Sequence, residues 1–488
     1  MQKRKVRNIL ISAAVAGLVL PPFFGWLVLA TDWPLGGRRG AWEWLRVEVT
    51  SGRLEHCLVA LAAFAAAALL AWRLDSTPDL RRGAKLLWML AALAGCSLVA
   101  DLALLNNGRA GVTESAVAIL NPFATGYLEM ALTAEKPGDL SANFNRRVLT
   151  PAPGEIPLHR HVHPPGNVLL AAAVLKVMPS GMGAALLPGA AADLRELAAE
   201  HVFLPPMDRP VAQRAALNLT ILFIAALTAG KVLILASLIR LRIKMPGLAA
   251  LFVLFGSGAA LLFLGHYDVF YFFLTALGAF FAVSGLRSGK PVWALATGVA
   301  LGLLASFSLG AGAVILLAAI VFGCSPSRRR LLPWFAAGGL AVLAVFALAG
   351  VPLVSAALQS WENHRAFCAS AGRSYWPWVG FNAFDALLFC GVPASLLIFG
   401  VFGLRRRHFA YPPLLAAALI WLFLIFSGSA RGEFGRLAAL YTPVLLVGGG
   451  YLLGRYGAGF YRLFLPVMLF AFLQIMLLRD TLKLILIE

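Results

Sequence analysis

Apolar stretches recur from one end of this chain to the other, each closed by a short polar or Gly/Pro-containing interval. Many run to about 17–25 residues, the length a helix needs to cross a hydrocarbon core. In lipid, a helix is one of only two ways for the backbone to satisfy its own hydrogen bonds. The pattern predicts thirteen membrane helices, at roughly 9–30, 54–74, 86–106, 212–239, 246–265, 269–286, 291–306, 309–324, 331–350, 381–402, 412–428, 437–454 and 463–479. The run from Asn167 to Met178 is twelve residues long, too short to span, and reads as an interfacial or re-entrant helix. A polar surface helix is expected over Asp193–Glu200. The first apolar run follows Lys3, Arg4, Lys5 and Arg7, outlasts the core of a signal peptide and leads into no small-residue cleavage pattern, so it is read as a first membrane helix. No inverted repeat of broken helices stands out.

The expected fold is therefore an all-α polytopic membrane protein of about thirteen transmembrane helices, with juxtamembrane helices in a large outer loop. Three segments follow: a two-helix stretch 1–85, a core 86–454 containing an outer loop 107–213, and a last helix with its tail, 455–488.

Composition agrees. Of 488 residues, 60% are hydrophobic and 13% charged, with mean hydropathy +0.82; soluble domains carry about 25% charged residues. The net charge of +19 raises nucleic acid as a partner, but the distribution argues against it. Basic residues collect in alternate short loops, at Arg81 and Arg82, Arg240–Lys244, Arg287 and Lys290, Arg328–Arg330, Arg405–Arg407, and Arg455 with Arg462. That is the positive-inside pattern. It expects a bacterial inner (plasma) membrane protein with a cytoplasmic N-terminus and its long loops, 31–53, 107–213 and 351–380, facing the periplasm or exterior. The five cysteines (57, 96, 324, 368, 390) show no CxxC spacing and read as small buried hydrophobes, with a Cys368–Cys390 pair as the alternative.

Candidate chemistry concentrates in the outer loops. LHRHVHPPGNVLL (158–170) carries His159, His161 and His163 ahead of a Pro-Pro-Gly turn and a short helix. In an extended segment the three histidines point to one side. They suit a metal, a phosphate, or nothing beyond solvent. Free N–H groups at the helix start favour an anion. Asp268, beside His266, lies between two apolar runs, where a carboxylate is costly unless paired or functional. Arg431, Glu433 and Arg436 cluster before a later helix and read either as interfacial ion pairs or as an arginine fork for phosphate. Arg373, Tyr375 and Asn382 sit among tryptophans, as an aromatic belt or a sugar-binding surface. Glu114 and Glu129, the latter just after Tyr127, are candidate general bases.

Four stretches carry a resemblance: TGYLEMALTAEKPGDL (125–140), HVHPPGNVLLAAAVLKVM (161–178), GHYDVFYFFLTALGAF (265–280) and RGEFGRLAALYTP (431–443). The first three resemble glycosyltransferase superfamily C, in particular its family-39-like group of protein mannosyltransferases and lipid A aminoarabinose transferases, and the last further resembles a bacterial subgroup of predicted glycosyltransferases. The resemblance covers scattered islands between about 86 and 454. It implies inverting transfer of a sugar from a polyprenyl-phosphate donor to a glycan, lipid or protein acceptor at the outer face. An acid of the first catalytic loop would act as base, and a basic residue near the Pro-Pro turn would contact the lipid phosphate. The phosphate role falls on His163, supported by Arg431 and Arg436. The base falls on Glu129 or Glu114, with Asp268 orienting or substituting. His161, Tyr127, Glu433, Arg373, Tyr375 and Asn382 complete the expected substrate contacts. Where the group has an acidic pair ahead of its Gly-x-Tyr-like position, this chain has Ala124 and Thr125. No protein-bound metal is expected, and a divalent cation on the donor phosphate is left open. Two other classes stay open: a transporter, flippase or polymerase-like protein for lipid-linked glycans, and a non-catalytic membrane protein.

Overall fold

The computed structural model describes residues 2–31, 45–46, 54–107, 111–121, 125–133, 159–200, 209–324, 326–370, 374–405, 408–428 and 434–483. Each of the thirteen apolar runs becomes helix there. Eight helices are long and apolar enough to cross a membrane, and a bent pair makes a ninth. The eight lie in α1 (Gln2–Ala30), α2 (Leu54–Ser76), α3 (Gly83–Asn107), α9 (Arg209–Arg240), α12 (Asp268–Ser288), α15 (Leu332–Leu348), α20 (Phe434–Tyr456) and α21 (Tyr461–Thr481). Shorter apolar helices are α10 (Pro246–Phe255) with α11 (Ala259–Leu262), α13 (Pro291–Phe307), α14 (Ala311–Gly323) and α19 (Tyr411–Phe426). The bent pair is α17 (Tyr375–Phe389) followed by α18 (Val392–Leu397) and a 3-10 turn, at an angle of 109°. The loop between α3 and α9 contributes α4 (Val112–Leu120), α5 (Tyr127–Thr133), α6 (Gly166–Val177), α7 (Met182–Leu186) and α8 (Pro188–Glu200), and α16 (Leu353–Ser370) precedes α17. The surface helix thus begins before the expected Asp193. A two-residue antiparallel pairing, Leu45–Arg46 with Leu482–Lys483, is the one strand contact described.

Tertiary contacts sort the connections into two ends. At one end Asp75 accepts hydrogen bonds from the Gly247 and Leu248 amides at 2.8 and 2.7 Å, capping α10 where the helix dipole favours a carboxylate. The Lys244 and Met245 amides reach the Gly454 carbonyl, and His408 lies 3.5 Å from the Tyr451 and Tyr456 hydroxyls. The opposite end gathers Glu114 with Arg479, Asp268 with Arg436, the His161 carbonyl with Asn363, and the Gly310 carbonyl with Tyr441.

Two apolar runs are interrupted inside the bundle. The α10–α11 break falls at Gly256-Ser257-Gly258, and the α17–α18 break at Gly391, whose φ of 81° suits glycine. The two breaks touch: a side chain at Gly391 would run into the Gly256 carbonyl. Irregular backbone at membrane depth is tolerated only where protein satisfies its polar groups. Here Lys231 donates to the Leu254 carbonyl at 3.2 Å, Gln474 to Leu388 at 3.0 Å and Ser395 to Ala386 at 2.8 Å. Lys231 also binds Asp101 at 2.6 Å and Ser97 at 3.0 Å, so a charge pair inside α3 and α9 closes the break. The five cysteines are all free, which removes the Cys368–Cys390 alternative.

Candidate functional site

The Pro164-Pro165-Gly166 turn starts α6 by pressing it against the end of α13. A Cβ on Gly166 would stand 2.6 Å from the Ser306 carbonyl and 2.8 Å from the Phe307 ring, so the backbone approaches closer than any other residue allows. That approach delivers Asn167 to Tyr271 on α12, where amide and hydroxyl share hydrogen bonds of 2.7 and 3.0 Å. One turn earlier on α12 stands Asp268, its first residue, 3% exposed. Arg436, in the first turn of α20, donates to one Asp268 oxygen from Nη2 at 2.8 Å and from Nε at 3.2 Å. Such a buried pair holds only with good geometry, because desolvation of both ions opposes it.

Tyr127 of α5 closes the group. Its ring meets Tyr267 edge-on at 4.9 Å and His163 at 6.1 Å. Burial, and then the nearby Arg436 and His163, hold the His266 imidazole well below its usual pKa, so it is neutral at physiological pH. Burial raises the Tyr127 and Tyr267 phenols, which stay protonated. Among the described residues, the Tyr267 hydroxyl and His266 Nδ1 are buried without a hydrogen-bond partner. Among the described residues the result is a low-dielectric cluster that holds an ion pair, the neutral His266 imidazole and protonated phenols at a helix N-terminus. His163 is half-buried as a residue, but both of its ring nitrogens are buried; Glu129 is half-buried. Glu129 follows Tyr127 by two residues and so projects from a different side of α5.

The structure thus brings together Tyr127, His163, Asp268 and Arg436 from all four stretches singled out in sequence. It separates others. Glu114 lies in its own pair with Arg479, 2.9 Å away. Tyr375 and Asn382 donate to the Phe426 and Ile425 carbonyls at the end of α19, at 2.6 and 3.4 Å. His161 is buried, its carbonyl accepting from Asn363 at 2.8 Å. Arg373, Arg431 and Glu433 lie outside the described residues. The histidine stretch is a 3-10 turn over His159–Val162, not an extended segment. Among the described residues, no three His, Cys, Asp or Glu side chains gather to hold a metal.

Sequence reasoning missed Asn167, Tyr267, Tyr271, Arg479 and Lys231. Lys231 was findable: a lone lysine inside a long apolar run demands a partner, and Asp101 inside another run is the matching demand. The chain matches no protein-family model, no curated protein and no solved structure.

Proposed function

We propose that this chain is a membrane glycosyltransferase that moves a sugar from a polyprenyl-phosphate donor to a glycan, lipid or protein acceptor at the outer face. The observation that carries this reading is the convergence of Tyr127, His163, Asp268 and Arg436 on one buried cluster at one end of the bundle. In this reading His163, packed beside Tyr127, meets the donor phosphate. Arg436 stabilises the charge that grows on the phosphate as it leaves. Glu129 takes the acceptor's proton, since Glu114 is held by Arg479. A superfamily C fold with thirteen passes, an N-terminus in the cytoplasm and the cluster outside is supported by the two-ended contacts. An odd number of passes brings Arg479, at the end of the last helix, to the same side as Glu114, just after the third. The basic loops fall at the other end, as the positive-inside rule asks of an inner membrane.

A second reading, transport or flipping of a lipid-linked glycan, is favoured by the touching breaks at Gly256 and Gly391 and the Asp101–Lys231 pair beside them. Discontinuous helices and intramembrane charges are the marks of such proteins. A non-catalytic membrane protein leaves the polar cluster without a task. The test uses the full chain in nanodiscs with a panel of radiolabelled polyprenyl-phosphate sugars, with and without chelator. Binding and slow release of free sugar are expected, both weakened in His163→Ala. Absence of binding across the panel would overturn the transferase reading. Flipping of the same lipids in vesicles, lost in Asp101→Asn, would replace it with the second.

A further inference from the structure

A cavity of about 150 Å³ lies between α12, α14, α19 and α20, away from the polar cluster, with walls that are almost wholly apolar. An apolar cavity of that size accommodates a ligand as large as benzene, and this one is only half enclosed by protein. Its deep wall includes Gly278, Leu317, Ala417 and Val444. Its other end is formed by Leu241, Leu286, Phe409 and Tyr451. These four stand at the basic end of the bundle. Leu241 lies between the exposed Arg240 and Arg242, and Leu286 precedes the exposed Arg287. Phe409 follows His408, which is 3.5 Å from the Tyr451 hydroxyl, and Arg455 lies one turn beyond Tyr451 on α20. Arg240 lies over the Phe280 and Trp293 rings at 5.2 and 5.4 Å. Of the acids described at this end, Asp75 is engaged by the α10 amides.

Toward the polar cluster the space narrows. A pocket of about 10 Å³ continues it past Val314 and Leu317 and ends against Trp421 and Tyr441, the latter tied to the Gly310 carbonyl at 2.6 Å. The volume therefore belongs to the basic end. A chain entering from there meets the wide part, whereas a chain whose phosphate sat at Arg436 would have to pass the constriction.

We propose that this cavity binds an anionic glycerophospholipid of the leaflet at the basic end, a segment of one acyl chain in the cavity and the phosphodiester among Arg240, Arg287, His408 and Arg455. Basic pockets between transmembrane helices on the cytoplasmic side take anionic head groups in this manner. The site is independent of the transferase reading.

Native mass spectrometry of the full-length protein tests it, titrating phosphatidylglycerol, phosphatidylcholine with the same chains, glycerol phosphate and a polyprenyl phosphate. Phosphatidylglycerol is expected to bind at least tenfold more tightly than phosphatidylcholine, with glycerol phosphate not binding. Ala282→Trp, which fills the cavity, and the Arg240→Gln/Arg455→Gln pair should each lower that affinity at least tenfold. Ala417→Leu serves if Ala282→Trp does not fold, and an unchanged unfolding temperature without lipid shows the variant intact. Equal binding of the two phospholipids, an intact plugged variant that binds as the parent does, or glycerol phosphate binding as tightly as the lipid overturns the proposal. So does a plug that abolishes polyprenyl-phosphate binding while sparing phosphatidylglycerol, which would make the cavity the carrier's tail site.

Discussion

Replacing Arg436 with methionine keeps most of the side chain's length and removes its charge, leaving Asp268 as a buried carboxylate that has lost two donors. The two bonds lost are charge-assisted, at 2.8 and 3.2 Å, on groups 9% and 5% exposed. At roughly 1.5–3 kcal/mol each they sum to about 3–6 kcal/mol, in line with about 3–5 kcal/mol for breaking a buried pair from one side. Spread over a chain this long, that corresponds to a fall in melting temperature on the order of 3–6 °C. The double variant Asp268→Leu/Arg436→Met removes both charges, and a buried pair replaced by apolar groups is often neutral or better. It should melt within a few degrees of the parent. Fluorescence-detected melting of purified protein in one detergent measures all four corners of the cycle. The same samples, assayed for donor binding, should show the double variant folded and at least a hundredfold weaker. A double variant no more stable than Arg436→Met refutes the claim of an orphaned charge. A double variant that binds donor normally refutes the cluster as the donor site.

Three further outcomes follow from the same structure. His266 is held neutral by burial, so its folded pKa lies below the unfolded value near 6.5 and its contribution is present above that pH and lost as pH falls. The loss is about 1.4 kcal/mol per unit, roughly 2 kcal/mol between pH 6.5 and 5, and His266→Phe should flatten the melting temperature over that range; an unchanged slope would show that His266 is not desolvated. Glu129→Gln should reduce sugar transfer at least a hundredfold while donor affinity stays within about threefold; equal turnover would remove Glu129 as the base. Lys231→Met strips Asp101 of its cation and the Leu254 carbonyl of its donor, and should cost about 3–5 kcal/mol, read as a melting shift comparable to that of Arg436→Met; a shift under a degree or so would mean that water satisfies the break.

The helices were legible because span length and hydropathy are local properties: each apolar run met a helix. The breaks were not. Glycine and proline are frequent in membrane helices, so Gly256-Ser257-Gly258 and Gly391-Val392-Pro393 read as ordinary interior sequence, and only tertiary packing reveals that one break supports the other. The site was half legible for a similar reason. Asp268 and Arg436 each stood out as charges beside apolar runs, but their 168-residue separation hid that they meet. The sequence therefore offered them as independent candidates, one for protons and one for phosphate. For Glu114 and the histidine stretch, residue type announces chemical capacity while partner and backbone shape decide its use. Glu114 pairs with Arg479, and the histidine stretch forms a 3-10 turn over His159–Val162.

That pairing has a consequence for how the cluster would handle a lipid phosphate. Arg436 reaches the site already engaged by Asp268, so a donor phosphate has to compete with a carboxylate for the guanidinium. Competition lowers ground-state affinity, and Asp268 then acts as a positioning residue that sets how much of Arg436's charge the donor feels. Asp268→Asn keeps the shape and one acceptor but surrenders the negative charge, which removes one competitor for the guanidinium. If half of one charge-assisted bond, about 1.4 kcal/mol, passes from Asp268 to the donor, affinity rises roughly tenfold. Uniformly tighter binding of donor and transition state lowers KM without raising kcat. The variant is therefore expected to show a lower donor KM with kcat within a fewfold of the parent, while Asp268→Lys repels the donor and raises KM. A KM for Asp268→Asn that rises would show that Asp268 aids donor binding rather than restraining it. A kcat falling a hundredfold or more at unchanged KM would move the proton-accepting role from Glu129 to Asp268, since only a group acting in the transition state alone produces that split.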